Sequence, residues 1–424
     1  MQDFYKEIEW RGFVHTSTPG VDKHLRAAPV TAYIGFDPTA PSLHVGSLLP
    51  IMGLVHFQRS GHLPIAVSGG GTGMVGDPSG KTQERKLLPL DELRFNLEGI
   101  QKQLSHFLDF DIKSNPAKMV NNAEWLTTVT LMDFLREIGK HFSVNEMLAK
   151  ESVKNRVEQE QGMSFTEFTY SLLQSYDYLQ LFDRYHCTLQ MGGSDQWGNI
   201  TSGIDIIRRL RSTDAHAIVF PLITTSGGVK FGKTESGTIW LDAERTSPYQ
   251  FYQFWLNTDD RDAVQYLKYF TLLPRETIDE LERAVKTKPE KREAQVALAR
   301  DVTGRLHGDT ALDQAVKASA IFFGGEITEV SDKELLDIFS DVPSCELRKS
   351  VFAPEGYPIV ELLVTSGAAK SKGEARRFIQ GGGIYLNNRR VEEVEKKIAL
   401  KETIHGKYLV LRRGGRNYWL VKIL

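Results

Sequence analysis

A doubly wound α/β sheet of parallel strands, followed by an all-helical segment and a small α+β module, is the fold this chain predicts, on three observations. Short β-branched and aromatic runs alternate with helical patterns from Pro29 to Phe220, the rhythm of strand–helix–strand units whose strands run parallel. After Ser247-Pro248, an N-cap and N1 pair, one helical pattern follows another up to Phe323. From Cys345 onward the charge reverses. Cys345 to Leu424 carries 16 Lys/Arg against 8 Glu and no Asp, whereas the first 344 residues hold 36 basic and 46 acidic side chains.

The elements follow in order. Pro29 to Phe36 is a buried strand, ended by the turn residues Asp37-Pro38-Thr39-Ala40-Pro41. Ser42 is placed to cap a helix whose apolar positions Leu43, Leu48, Ile51, Val55 and Phe57 run to Gly61 at C′, with Pro50 expected to kink it. A second strand, Leu63 to Val67, runs into glycines, and later strands fall at Thr188 to Met191 and Ala217 to Phe220. Residues 105–185 are too long and too helical for a plain crossover, so they read as a helical insertion. The expected division is an α/β domain at 1–223, a connector at 224–246, a helical domain at 247–323, a linker at 324–355 holding one short helix, and the α+β module at 356–424.

Composition bounds the function. With 424 residues, 41% hydrophobic and 25% charged, the chain is long enough for two or three domains with real cores. Two distant cysteines, Cys187 and Cys345, indicate neither a disulfide framework nor a structural zinc site. The first residues do not read as a signal peptide and no apolar run approaches the roughly 20 residues of a membrane span, so a cytoplasmic location is expected. A basic tail on an acidic body suggests an anionic partner, nucleic acid first.

Chemistry concentrates in a few segments. Lys230-Phe231-Gly232-Lys233-Thr234 carries two lysines three apart, and Ser42-Leu43-His44-Val45-Gly46-Ser47 sets a histidine at a helix start. Together they can hold a polyphosphate from two sides without a Walker loop. Gly71-Thr72-Gly73-Met74-Val75-Gly76 imitates a dinucleotide fingerprint, but Asp77-Pro78-Ser79-Gly80 breaks the chain where a helix should open, and position 96 is Asn96 rather than an acid. Ser164-Phe165-Thr166-Glu167 has the form of a capping box before a helix with Tyr170, Gln174 and Asp177 on one face. Gly192-Gly193-Ser194-Asp195-Gln196-Trp197-Gly198-Asn199 follows a strand and opens a helix, where α/β proteins bind ligands.

With Tyr33-Ile34-Gly35-Phe36-Asp37-Pro38-Thr39-Ala40, Gly76-Asp77-Pro78-Ser79-Gly80-Lys81 and Lys140-His141-Phe142-Ser143-Val144-Asn145, these segments resemble those of bacterial-type tyrosyl-tRNA synthetases, class I aminoacyl-tRNA synthetases. The resemblance is strong to about residue 270 and looser beyond. It implies a Rossmann-like catalytic domain that makes tyrosyl-adenylate from tyrosine and ATP, then charges tRNA(Tyr) at its 3′ end. It implies His44, Thr39, Lys230, Lys233 and Thr234 as catalytic donors to the phosphates, with the lysines on a mobile loop that closes over ATP. Tyrosine would be held by Tyr33 and Asp177 at the phenol, by Tyr170, Gln174 and Asp77 at the ammonium group, and by Asp37, Asn122 and Gln196. Gly35, Gly46, Ser47, Gly193 and Asp195 complete the ATP site implied with His44, Lys230 and Lys233.

No tightly bound cofactor and no metal site of the protein's own are expected; ATP enters as substrate with Mg²⁺. The family's first motif usually ends in a second His where Ser47 stands, and Ile34 replaces a frequent Cys. The tail resembles a small RNA-binding domain, with Arg376, Arg377, Arg412 and Arg413 implied as phosphate contacts, and residues 247–323 an anticodon-stem domain. Family members are homodimers, which points to the helices near Lys140 to Asn145. Tryptophan-activating enzymes share the fold, but an acid and a phenol at the pocket end suit a hydroxyl better than an indole.

Overall fold

Four of the six residues of Thr31–Phe36 (β2) are buried, as in a strand covered on both faces. A computed structural model describes residues 3–79, 87–157, 162–228, 231–234, 237–322, 324–325, 327, 330–340, 342–352, 355–415 and 417–424. Its contacts gather into two units, Met1–Thr246 with Phe254–Leu306, and Ser247–Gln253 with His307–Leu424. The expected helical domain at 247–323 is therefore divided between them.

In the first unit, α1 (Phe4–Arg11), β1 (Thr16–Ser17) and α2 (Val21–Ala27) precede β2. The chain continues through α3 (Leu48–Arg59), β3 (Leu63–Ser68), α4 (Leu90–Leu104) and β4 (Lys118–Asn121). Four short helices follow, α5 (Ala123–Leu126), α6 (Leu131–Asp133), α7 (Val144–Ala149) and α8 (Glu151–Val157). Then come α9 (Phe165–Tyr185), β5 (Cys187–Gly193), α10 (Trp197–Arg211) and β6 (His216–Phe220). The sheet order is β1-β6-β5-β2-β3-β4, parallel except for β1 on β6. Strand order reverses between β2 and β5, so their C-terminal ends open a crevice.

Three local expectations change. Pro50 is the third residue of α3, within the first turn, where a missing N–H removes no helical bond, so the helix starts there instead of bending. Ser42 is buried and donates to the Leu43 carbonyl; the cap is His44, whose Nδ1 accepts from Gly46 N at 3.0 Å before a 3₁₀ turn, Val45–Ser47. The insertion, expected to be mostly helical, also holds a strand, because β4 pairs in parallel with β3. Gly61 takes φ 85 just past α3, as C′ requires. At mid-helix, Gly53 lets α3 lie on Phe220, whose ring a Cβ there would meet at 2.6 Å.

Beyond the sheet lie the short pair β7 (Lys233–Thr234) and β8 (Gly237–Thr238), then α11 (Pro248–Leu256), α12 (Asp260–Phe270), α13 (Arg275–Thr287) and α14 (Glu293–Phe322), which loses helical geometry at Gly308. The second unit adds α15 (Asp332–Ile338), β9 (Ser344–Leu347), β10 (Tyr357–Pro358), α16 (Ile359–Thr365), α17 (Lys372–Gln380), β11 (Ile384–Leu386), β12 (Arg389–Arg390), β13 (Lys397–Ile398), β14 (Tyr408–Arg413) and β15 (Asn417–Ile423). Its main sheet runs β12-β11-β14-β15-β9.

Residues 324–355 are thus more than a linker. Strand β9 pairs in parallel with β15, and α15 buries Leu335 and Ile338 in one core with Val410, Tyr418 and Leu420. The Ser331–Glu334 capping box starts α15, which a spacer would not need.

Candidate active site

Several of the residues that the sequence singled out gather by the crevice between β2 and β5. Tyr33 is set by β2 in register with Gln190 of β5 and is 2% exposed. Among the described residues, Tyr33 Oη and Gln190 Oε1 have no hydrogen-bond partner. Asp177 sits on α9 with its side chain turned into the protein, 4% exposed, so this helix face is buried and not a solvated surface.

Both Asp177 oxygens accept hydrogen bonds, from Trp125 Nε1 at 2.7 Å and from Asn122 Nδ2 at 2.9 Å. Burial pushes its carboxyl up to about 7, the two donors pull it down, and Asp37 adds to the rise. Burial also drives the Tyr33 phenol well above its ordinary value, with the Asp177 charge next in effect. A buried acid beside a buried phenol whose Oη lacks a partner suits a ligand hydroxyl that can donate to one and accept from the other.

A second cluster lies beside it. Tyr170 OH donates to Asp37 Oδ2 at 3.1 Å, and Thr72 Oγ1 to Asp37 Oδ1 at 2.9 Å. Asp77 accepts from Ser79 N at 2.9 Å and from Gln196 Nε2 at 2.6 Å, while Asn199 Nδ2 donates to Gln174 Oε1 at 3.1 Å. Burial, then the charges of Asp37, Asp77 and Asp177, raise the Tyr170 phenol well above its usual range. Three carboxylates around one phenol make a field that favours an ammonium group.

On the other side, His44 is exposed, and because its Nδ1 accepts from Gly46 N the neutral ring carries its proton on Nε2. The ring lies close over Gly46: a Cβ there would stand 2.7 Å from His44 Cε1. Thr39 is exposed and its N–H donates to the Asp37 carbonyl, and Ser47 N donates to the His44 carbonyl at 2.8 Å. Gly35 is exposed with nothing within 4 Å of a Cβ built on it, so its own packing does not demand glycine. At Gly193 a side chain would collide with the Asp195 carboxylate. Lys230 and Lys81 lie outside the described residues, as do the side chains of Lys233 and Thr234. The backbone of that segment is beside the histidine turn, since a Cβ on Gly232 would be 2.8 Å from Val45 Cγ2.

Sequence reasoning missed Trp125, Thr72 and Trp240, whose ring stands edge-on to His44 at 6.2 Å. Trp125 follows Asn122 by one helical turn, which was the available signal. Glu167 caps through its backbone, N to Ser164 Oγ at 3.2 Å, but its carboxylate forms a buried ion pair with Arg156 at 2.8 Å. In the second unit Arg376 and Arg377 are exposed on α17. The Arg412 guanidinium lies 3.7 Å from the centre of the Tyr385 ring and Arg413 donates to the Ala368 carbonyl at 2.8 Å, so both are engaged within the module.

Comparison with known proteins shows the family. Residues 25–324 match the family model described as tRNA synthetases class I (W and Y), and residues 334–421 match the Tyrosine--tRNA ligase SYY-like C-terminal domain. The Tyrosine--tRNA ligase of Roseiflexus castenholzii is 52% identical over 424 residues, all of both chains, and that of Bacillus caldotenax 49% identical over 99% of each. A C-terminally truncated Aspergillus nidulans mitochondrial tyrosyl-tRNA synthetase superposes with a TM-score of 0.69 at 30% identity, covering 75% of this chain and 94% of that one. Matched from end to end at about half identity, the chain belongs to the tyrosine--tRNA ligases, class I aminoacyl-tRNA synthetases that activate L-tyrosine with ATP and pass it to tRNA(Tyr).

Proposed function

We propose that the β2/β5 crevice carries out activation with the residues named above. The tyrosine carboxylate, already ionised at neutral pH, attacks the α-phosphorus in line and pyrophosphate leaves, so no strong base is required. The work falls to positioning and to stabilising charge that grows on the phosphates. His44 Nε2–H and the Thr39 hydroxyl donate from one side, and Lys230, Lys233 and Thr234 from the other. Asp177 and Tyr33 take the phenol; Asp77, Tyr170 and Gln174 take the ammonium group, with Asp37, Asn122 and Gln196 holding those groups in place. Gly35, Gly193 and Asp195 face the adenosine, and Gly46 and Ser47 the phosphates. Mg²⁺ enters with ATP, shared among phosphate oxygens.

The observation that carries this reading is the Tyr33 hydroxyl, buried beside Asp177 and without a partner among the described residues. Phenylalanine would leave those groups unpaired, and the tyrosine-over-phenylalanine choice of this enzyme family is a standard case of such rejection. Pyrophosphate exchange into ATP with each amino acid tests it: tyrosine should support exchange, and a preference for tryptophan or phenylalanine would end the reading.

For the second step, Arg376 and Arg377 contact tRNA phosphates, with Arg412 and Arg413 shaping the same strip, and the helices at 247–323 meet the anticodon stem. We place the activity in the cytoplasm and assign a homodimer. Supporting the dimer, Leu131, Met132, Val144, Leu148 and Phe165 of the insertion are exposed, Phe165 by 76%. Sedimentation of a Met132→Glu variant as a smaller species is the expected result.

A further inference from the structure

The lysine-bearing segment is anchored by the residue that follows its first lysine. Phe231 is 5% exposed and its ring lies 5.0 Å from Tyr266, 5.7 Å from Phe254 and 5.9 Å from Trp255, and stacks on Phe270 at 5.3 Å with 8° between planes. Such a socket holds a side chain far more firmly than a surface loop needs. The next residue, Gly232, has φ 82 and its carbonyl accepts from Ile239 N at 3.1 Å. The Ile239 carbonyl in turn accepts from Val45 N at 3.0 Å, and Leu241 N donates to the Leu43 carbonyl at 2.9 Å. Residues 239–241 therefore bridge the lysine segment and the histidine turn.

The socket is tied to the same helix from below. Arg305 Nη1 donates to the Phe270 carbonyl at 2.9 Å and lies 3.3 Å from Met52 Sδ, on the helix that begins just after the His44 turn. Arg305 also pairs with Asp301 one turn earlier on α14. One guanidinium thus touches the floor under Phe231 and the helix that follows the His44 turn.

We infer that Phe231 and Arg305 are positioning residues for adenylate formation: the ring fixes where the backbone of Phe231–Thr234 stands beside the histidine turn, and the guanidinium keeps that ring's floor in register with the helix that follows this turn. This rests on the reading that His44 and the lysines grip the phosphates. None of the contacts described reaches Tyr33, Tyr170 or Asp177, so the effect falls on ATP and spares tyrosine.

The experiment compares Phe231→Leu, Arg305→Lys and the double variant in the full chain, with melting midpoints as a check on folding. Each single variant should raise KM for ATP or slow exchange by about tenfold, since small displacements of reacting groups cost that much or more, while the tyrosine Kd stays within about twofold. The double variant should lose less than the product of the two. Equal losses in tyrosine affinity, or a double variant equal to the product, would overturn the coupling. If Arg305→Lys fails to fold, Phe231→Leu alone decides by the ATP-against-tyrosine split. A Lys233→Ala enzyme slowed in exchange beside a normal Phe231→Leu enzyme sinks this inference alone; a normal Lys233→Ala enzyme sinks the underlying reading too.

Discussion

Trp125 Nε1 points at Asp177 Oδ1 across 2.7 Å, joining an indole from the insertion to the acid on α9. Replacing that indole by Phe removes a donor from a buried carboxylate, a loss of about 1–3 kcal/mol. Trp125→Phe should weaken tyrosine binding by roughly tenfold or more and narrow the gap to phenylalanine. Equilibrium dialysis with both amino acids measures it; an unchanged ratio would remove Trp125 from the specificity argument.

With Asp177 at the tyrosine phenol, as proposed, recognition should depend on pH. Its carboxyl is raised to about 7 by burial, so below that it is protonated and loses its charge as an acceptor. Tyrosine affinity should fall as pH drops from about 8 to about 6, and Asp177→Asn should flatten that dependence while weakening binding throughout. The sign for stability is opposite: between about 4 and about 7 the folded state keeps a proton the unfolded chain has lost, so ionisation on raising pH costs stability. The Asn variant should therefore gain relative to wild type at about pH 8 compared with about pH 5, as read by denaturant midpoints.

Acid should act on His62. Burial, with a contribution from His24, lowers it from 6.5 to about 4, and its Nδ1 accepts from Val30 N at 3.1 Å. The unfolded chain binds the proton first, so stability is intact above 6.5 and lost as pH falls toward 4, by about 1–2 kcal/mol once screening by nearby solvent is allowed for. His62→Gln should shrink that acid limb; a limb of unchanged size would assign it elsewhere.

Lys233→Ala should slow adenylate formation by a few kcal/mol, about 2–4 by analogy with a lost oxyanion donor, and leave tyrosine affinity nearly unchanged. Stopped-flow formation of the adenylate and equilibrium tyrosine binding separate the two. Parallel losses in both would contradict a contact that strengthens as charge develops.

Deleting residues 350–424 should spare pyrophosphate exchange and weaken tRNA charging, with a shallower salt dependence than the full chain. The same deletion strips β9 of its partner β15 and uncovers Leu335 and Phe339, so the truncated protein should also aggregate more readily. Normal charging by the truncated enzyme would deny the tail its RNA role.

Much of the site was legible because its chemistry is local. The spacing of Tyr170, Gln174 and Asp177 put them on one helix face, and glycines flagged the turns after β3 and β5. What escaped was set by distance. Trp125 reaches Asp177 from 52 residues away, Thr72 bridges to Asp37 from 35, and no periodicity records such pairs. Strand β4 has four residues and begins with Lys118, too short to stand out from the helices around it. Strand β9 escaped for a similar reason, since its partner β15 lies more than seventy positions downstream of its start.

The end of α14 is finished by residues far along the chain. Asn388 Nδ2 donates to the carbonyls of Ile321 and Gly325, and Tyr418 OH to those of Ile321 and Phe322, the last 96 residues before it. At translation speeds of about 5–20 residues per second, those carbonyls wait roughly 3 to 20 seconds for their partners. Through that interval the nascent helix end must be solvated or shielded, and the ribosome-bound intermediate offers a protease its opening near residue 322.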